Sequence, residues 1–220
     1  MNYPTRMRQG GVALVCALML MLGALILGVS VARTAFASMA SSRLERDRMV
    51  ARAAAEAALA DAQTDIGGGI QPSSARAGWF AAGSGGFAGG CGHGSQDLGL
   101  CLPAASPLPA VWQVLDLADQ DSPALVPYGS YTGATLGTGN GVLPARLPGY
   151  LVERLEVAGT GPPPDVFYRI TAIGFGTRTG TQVVLQALYR RPAAAAVLPT
   201  GRIGWREIAN WPELHAQATK

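Results

Sequence analysis

Residues 12–32 read VALVCALMLMLGALILGVSVA, 21 consecutive residues without a charge. Coiled as a helix at 1.5 Å per residue, such a run spans roughly 31 Å, the thickness of a bilayer core. Arg6 and Arg8 precede it and Arg33 closes it. A secretory signal has an apolar stretch of about 7–15 residues ending at a small-residue cleavage site, so this run is too long and reads as a retained membrane helix. The two leading arginines favour a cytoplasmic N-terminus, but Arg33, Arg43, Arg46 and Arg48 on the other side weaken that bias.

The helix does not stop at the membrane. Between Val29 and Ile66 there is no Pro or Gly, so nothing interrupts it. Residues 42–66, SRLERDRMVARAAAEAALADAQTDI, are rich in Ala, Leu, Arg and Glu. Leu44, Ala51, Ala55, Ala58, Leu59, Ala62 and Ile66 recur at helical spacing as a narrow, shallow apolar stripe. Charges in 33–66 balance at five basic and five acidic, with Glu45/Arg48 and Arg52/Glu56 at pairing distance. One helix over 12–66, about 80 Å long, is predicted, with Gly67-Gly68-Gly69 ending it. Its membrane half is 12–32 and its amphipathic half 33–66, whose small residues await something that packs closely.

Composition narrows the chemistry. Of 17 cations among 220 residues, 16 are Arg and the only Lys is Lys220. Mechanisms that need an internal lysine, such as a phosphate-binding P-loop or a Schiff base, are thereby excluded. Gly and Pro together number 44, which points to a loop-rich body beyond the helix. Within it, strands are predicted at 150–157, 166–173 and 181–190, where apolar and polar residues alternate. Gly174–Gly180 (GFGTRTG) makes the last two an antiparallel hairpin, and Pro162-Pro163-Pro164 punctuates the first two. Between Gly67 and Gly149 only an apolar element near Val111–Leu117 stands out. The fold class expected is α+β, a long N-terminal helix followed by a small antiparallel sheet with irregular loops.

Cys91 and Cys101 bracket nine residues and are the candidates for a disulfide if this region lies in an oxidising compartment. A metal site from Cys91, His93 and Cys101 is the alternative, and it lacks a clear fourth ligand. Cys16 lies inside the apolar run, where a small hydrophobe is the simpler reading. Trp205 and Trp211 read as docking residues in a tail, 192–220, that opens with the Pro/Ala-rich linker 192–199.

Basic leader ending in Gly, charge-free helix, Ala-rich continuation, Gly-rich linker and small β-rich domain together resemble a type IV pilin precursor. More narrowly, the chain resembles the PilX-type minor pilins. The matching pieces are GVALVCALMLML at 11–22, LERDRMVARAAAEAALADA at 44–62, YRITAIGFGTRTGTQVVLQALYRR at 168–191, the Cys91/Cys101 pair and RIGWREIANWPEL at 202–214. The resemblance implies a leader over 1–11, removed by a membrane prepilin peptidase after Gly11 to expose Val12, or after Gly10, with N-methylation of the new terminus. It implies helix packing through Leu14, Leu18, Leu22, Leu25, Ala51, Ala55, Ala58, Leu59 and Ala62, and a head over 67–191. Implied partners are other minor pilins, the major pilin, the inner-membrane assembly machinery and membrane lipid. The head is expected in the periplasm and, after assembly, at the cell surface.

One departure is informative. Most pilins carry Glu at the fifth mature position, where it is thought to pair with a neighbour's N-terminal amine. Here that position is Cys16, or Val15 under the other cleavage. By resemblance, its absence suits an initiation subunit near the filament tip. A type II secretion minor pseudopilin is the alternative, and an unprocessed single-pass membrane protein a third reading.

Other chemistries find little footing. Residues 83–94 (GSGGFAGGCGHG) lack the Lys and the strand-to-helix context of a phosphate cradle and read as a surface loop. Asp116, Asp119 and Asp121 miss the spacing of a calcium loop. From Gly67 onward ten basic residues face nine acidic ones, so no nucleic-acid partner is expected. Neither an enzyme activity, a cofactor nor a metal is expected.

Overall fold

The computed structural model describes residues 10–105, 107–119, 121–155, 165–191 and 201–218. The predicted leader positions 1–9, the triple proline at 162–164 and the linker at 192–199 lie outside the described residues. Two compact units divide at Arg46/Asp47. Among the described residues, the first holds the N-terminal part of helix α1, which runs from Gly10 to Ile66. Its residues Val12, Leu14, Leu18, Leu22 and Leu25 are exposed, and the helix is long and apolar enough to cross a membrane.

The second unit places the C-terminal part of α1 on a mixed sheet. Ile66 is the last helical residue because Gly68 and Gly69 take positive φ. The N–H of Gly69 then returns to the carbonyl of Thr64 at 3.0 Å, and Arg191 caps the carbonyl of Ile66. A Cβ on Gly69 would sit 2.3 Å from the Tyr131 carbonyl oxygen, so only glycine fits this exit.

Helix α2 (Ala75–Ala82) follows. Next come β1 (Ala88–Gly89), β2 (Leu100–Leu102), α3 (Val111–Val114), β3 (Val126–Pro127) and β4 (Gly149–Leu155). Strands β5 (Val166–Phe175), β6 (Gln182–Arg191) and β7 (Gly201–Glu207) and helix α4 (Trp211–Ala218) complete the chain. Strand order is β1-β2-β4-β5-β6-β7, with β3 pairing β4 at its end. The β4–β7 ladder is antiparallel, as predicted for its β5–β6 hairpin, whereas β1/β2 and β2/β4 are parallel.

Alternation along the strands produces two cores. Tyr150, Val152, Tyr168, Ile170, Ala172, Val183, Leu185 and Ala187 face α1 and Phe80 of α2. On the other face Leu151, Ile173, Phe175 and Val184 pack with Trp112 of α3, Trp211 of α4 and the Cys91/Cys101 pair. Strands β4, β5 and β6 bury both faces over much of their length, which is why the apolar runs of β5 and β6 are nearly continuous, whereas β7 at the edge is exposed along its centre.

Two expectations are corrected. Residues 201–218 do not form a separate tail: β7 pairs with β6 and α4 closes the second core. Nor is 67–149 nearly featureless, because α2, β1, β2, α3 and β3 lie within it. Helix α2 had a readable signal in its Ser74 N-cap, whose hydroxyl accepts the N–H of Ala77, and its left-handed Gly83 C-cap. The two-residue strands carry too little sequence to show a period.

Candidate functional site

The functional element is α1, and its two parts meet different surroundings. Cys16 is exposed on the apolar part, with Val15 beside it. Neither position carries a carboxylate. From Asp47 onward a face of the helix is covered by the sheet. Ala51, Ala55, Ala58, Leu59 and Ala62 are buried there, so the reading that these five meet a neighbouring helix is corrected: the chain's own head occupies them. Small residues are required because the approach is backbone to backbone. A Cβ on Gly174 of β5 would lie 2.2 Å from the carbonyl oxygen of Ala51 and 2.3 Å from the nitrogen of Ala55.

Three carboxylates share this buried face, at helical spacing with the alanines: Asp47, Asp61 and Asp65. Asp47 reaches the turn between β5 and β6. It accepts the N–H of Thr177 at 2.6 Å, the hydroxyls of Thr177 and Thr181, and Nε of Arg178 at 3.3 Å. Burial works to raise this carboxyl, but the bonds from Thr181, Thr177 and Arg178 outweigh it and hold it at about 2. Asp61 accepts the N–H of Gly129 at 2.7 Å and the hydroxyl of Thr132.

Asp65 carries the densest network. Arg76 of α2 donates to it through Nε at 2.9 and 3.0 Å and through Nη2 at 2.7 Å. Nη1 of Arg76 donates to the carbonyls of Gln96 and Leu98 at 2.9 and 2.8 Å, and its guanidinium lies 3.8 Å from the Tyr131 ring centroid. Tyr150 donates its hydroxyl to Asp65 at 2.9 Å. Burial first, then the charge of Asp65, pushes the Tyr150 phenol well above its ordinary value. These bonds satisfy a charge pair that burial would otherwise penalise by several kcal/mol per ion, on the order set by desolvation. In the sequence these aspartates enter only the charge balance of 33–66, with no partner assigned; their register with the alanine stripe was the available signal.

Cys91 and Cys101 are joined by a disulfide, ten residues apart in sequence. Their sulfurs therefore bond to each other, and His93 Nδ1 lies 2.8 Å from the Pro123 carbonyl. Among the described residues no group of three His, Cys, Asp or Glu side chains could hold a metal ion. Asp116 accepts the N–H groups of Ala118 and Asp119, and Asp119 that of Asp121, the pattern of ordinary turns. In the glycine-rich loop Gly86 packs against Trp79, where a Cβ would lie 2.1 Å from the ring, whereas Gly89 and Gly90 are exposed with open space around them.

The two tryptophans separate. Trp211 is buried at the start of α4 and donates its indole N–H to Gln182 Oε1 at 2.9 Å. Trp205 on β7 stays 45% exposed, with the Arg52 guanidinium of α1 at 5.2 Å from its ring.

A family model described as type IV pilus assembly protein PilX, C-terminal, matches residues 81–191, half of the chain, from the end of α2 through β6. No curated protein and no solved structure matches. Members of that family are structural pilus components that work with other pilus components, and α1 fits a membrane-anchored one. The chain belongs to the PilX family of type IV pilus assembly proteins and is, at the level of that family, a minor pilin.

Proposed function

We propose that this minor pilin primes filament assembly near the pilus tip and so supports twitching and adhesion. The absence of a carboxylate at Cys16 carries the reading. A carboxylate in lipid costs roughly 3 kcal/mol at a helix centre, so a subunit keeps one only where a partner amine meets it. A subunit without it has no such demand to meet and suits a place with no repeated neighbour of that kind.

In this reading the prepilin peptidase cuts after Gly11, or after Gly10, on the cytoplasmic side, and Val12 becomes the methylated first residue. The apolar part of α1, with Leu14, Leu18, Leu22 and Leu25, anchors the protein in the inner membrane with its head in the periplasm. It then packs against helices of other minor pilins and the major pilin, and the head reaches the cell surface with the filament. Extension itself is driven by the assembly machinery. No turnover of a substrate is involved.

Deletion of the gene tests the proposal. Surface pili and twitching should be lost while protein secretion stays normal. Loss of secretion with intact pili would instead assign the chain to a type II secretion system.

A further inference from the structure

We propose that Asp47 and the β5–β6 turn form a register lock that fixes which residues of α1 meet the sheet. The stripe between Asp47 and Ile66 carries little register information of its own. If α1 moved by one turn, about 6 Å, each residue would take the place of the one four positions later. Ala51 would then replace Ala55, Ala54 would replace Ala58, and Ala58 would replace Ala62. The close approach at Gly174, made by the backbones of Ala51 and Ala55, would still meet alanine at the second of these places. Asp61 would arrive where Asp65 now accepts Arg76 and Tyr150, so that network would be refilled.

The glycine exit at Gly69 and the Arg191 cap on Ile66 would have to re-form, and three features of the stripe itself oppose the move. Leu59 and Ile66 would be replaced by Ala55 and Ala62, which leaves voids, and Val50 would take the buried place of Ala54, which crowds it. Asp61 would leave Gly129 and Thr132, which lie in a loop beyond the short strand β3. Asp47 would leave the turn that joins the two long central strands and enter the place of Ala51, beside Gly174. Its donors, the N–H and hydroxyl of Thr177, the hydroxyl of Thr181 and the Arg178 guanidinium, would then face Arg43 in place of a carboxylate. Asp65 also bonds Tyr150 of β4, and Arg48 pairs with Glu207 of β7. Asp61 would refill the first, and the Arg48 end of the second is exposed. The loss of the Asp47 contact, by contrast, cannot be made good by another residue of the stripe. Setting register is the best-attested use of a buried polar group in an otherwise apolar interface.

Paired cysteines in the full-length chain, in detergent and on a Cys16→Ser background, test the lock. Arg52 and Trp205 are neighbours in the present register, whereas a one-turn move brings Arg48 to the place of Arg52. With Asp47 intact, a short bifunctional thiol cross-linker should bridge the Arg52→Cys/Trp205→Cys pair, which replaces the contacting Arg52 and Trp205 side chains, as the major product, with the Arg48→Cys/Trp205→Cys pair at background. Adding Asp47→Ala should make the second pair a major product. A second variant, Thr177→Val with Thr181→Val, removes hydroxyl donors without altering α1 and should shift the products in the same direction. The Thr variant decides the matter if Asp47→Ala does not fold. Folded variants that still close only the Arg52/Trp205 pair would overturn the proposal.

Discussion

Arg76 and Asp65 are joined by three hydrogen bonds between 2.7 and 3.0 Å, and both side chains are almost fully withdrawn from solvent. This pair fastens α2 to the last turn of α1 and, through the Gln96 and Leu98 carbonyls, holds the chain that leads into β2. Removing one partner strands the other charge in the interior. Arg76→Met is therefore expected to cost about 3–5 kcal/mol, the range for breaking a buried pair. Replacing both, as Arg76→Met with Asp65→Leu, should cost clearly less than the sum of the single changes. Denaturant unfolding of the four proteins in a double-mutant cycle measures the difference.

The approach of β5 to α1 makes a second prediction. A methyl at Gly174 would overlap the Ala51 carbonyl oxygen and the Ala55 nitrogen, which are backbone atoms and cannot turn aside. Gly174→Ala should destabilise the head by about 2–3 kcal/mol or more, as overpacking does in a close-packed core. Gly180, with nothing within 4 Å of a built Cβ, is the control. Gly180→Ala should stay within about 0.5 kcal/mol of the parent, the usual range for a surface change. Parallel thermal melts distinguish the two.

Legibility followed the length of each signal. The apolar run 12–32, the uninterrupted helix to Ile66 and the alternation in β5 and β6 each repeat over many residues, and each was readable. The sheet's far side was not, because β1, β2 and β3 have two or three residues each and take their places through tertiary pairing. The alanine stripe was visible, but its partner was misassigned. A small-residue face says that something approaches closely, and only the matching Gly174 says that the something is the chain's own strand. Arg76 was missed for a similar reason: a lone arginine in a short helix looks solvated until Asp65 and Tyr131 are brought around it.

Acid should weaken the attachment of α1 through Asp47. Its carboxyl is held at about 2 against an ordinary 3.8. Above about pH 4 the group is ionised both folded and unfolded, and its contribution is fully present. As pH falls from 3.8 toward 2 the unfolded chain takes up the proton first, so stability drops across that window. The loss is on the order of 2 kcal/mol at most. Asp47→Asn should lower stability at neutral pH and remove this component, so that the difference from the parent narrows between about pH 4 and about pH 2. Urea midpoints measured across that range provide the comparison.

Closure of the Cys91–Cys101 loop should matter to the second core, where both cysteines are buried against Leu117 and Trp112. Cys91→Ala with Cys101→Ala is expected to lower stability by about 2–3 kcal/mol, the chain-entropy value for a loop of that size. Reduction of the parent should reproduce the loss, and the double variant should then be insensitive to reductant. Denaturant midpoints with and without reductant check both statements.

The position of Cys16 leads to the last prediction, which concerns number. A subunit that repeats along a filament meets the same neighbour at every step, so the absence of a carboxylate at that point would recur at every step. A subunit used once, at the start, meets that environment once. Cleavage at the proposed site would remove Arg6 and Arg8 and lower the formal charge from +3 to +1, which would leave little general attraction to acidic partners and make packing decide placement. Quantitative mass spectrometry of sheared pili should therefore find this chain at a small fraction of the major subunit. Its N-terminal peptide should begin at Val12 and carry one methyl group. Parity with the major subunit would reject the tip assignment, and a mature chain still carrying residues 1–10 would reject processing as a pilin altogether.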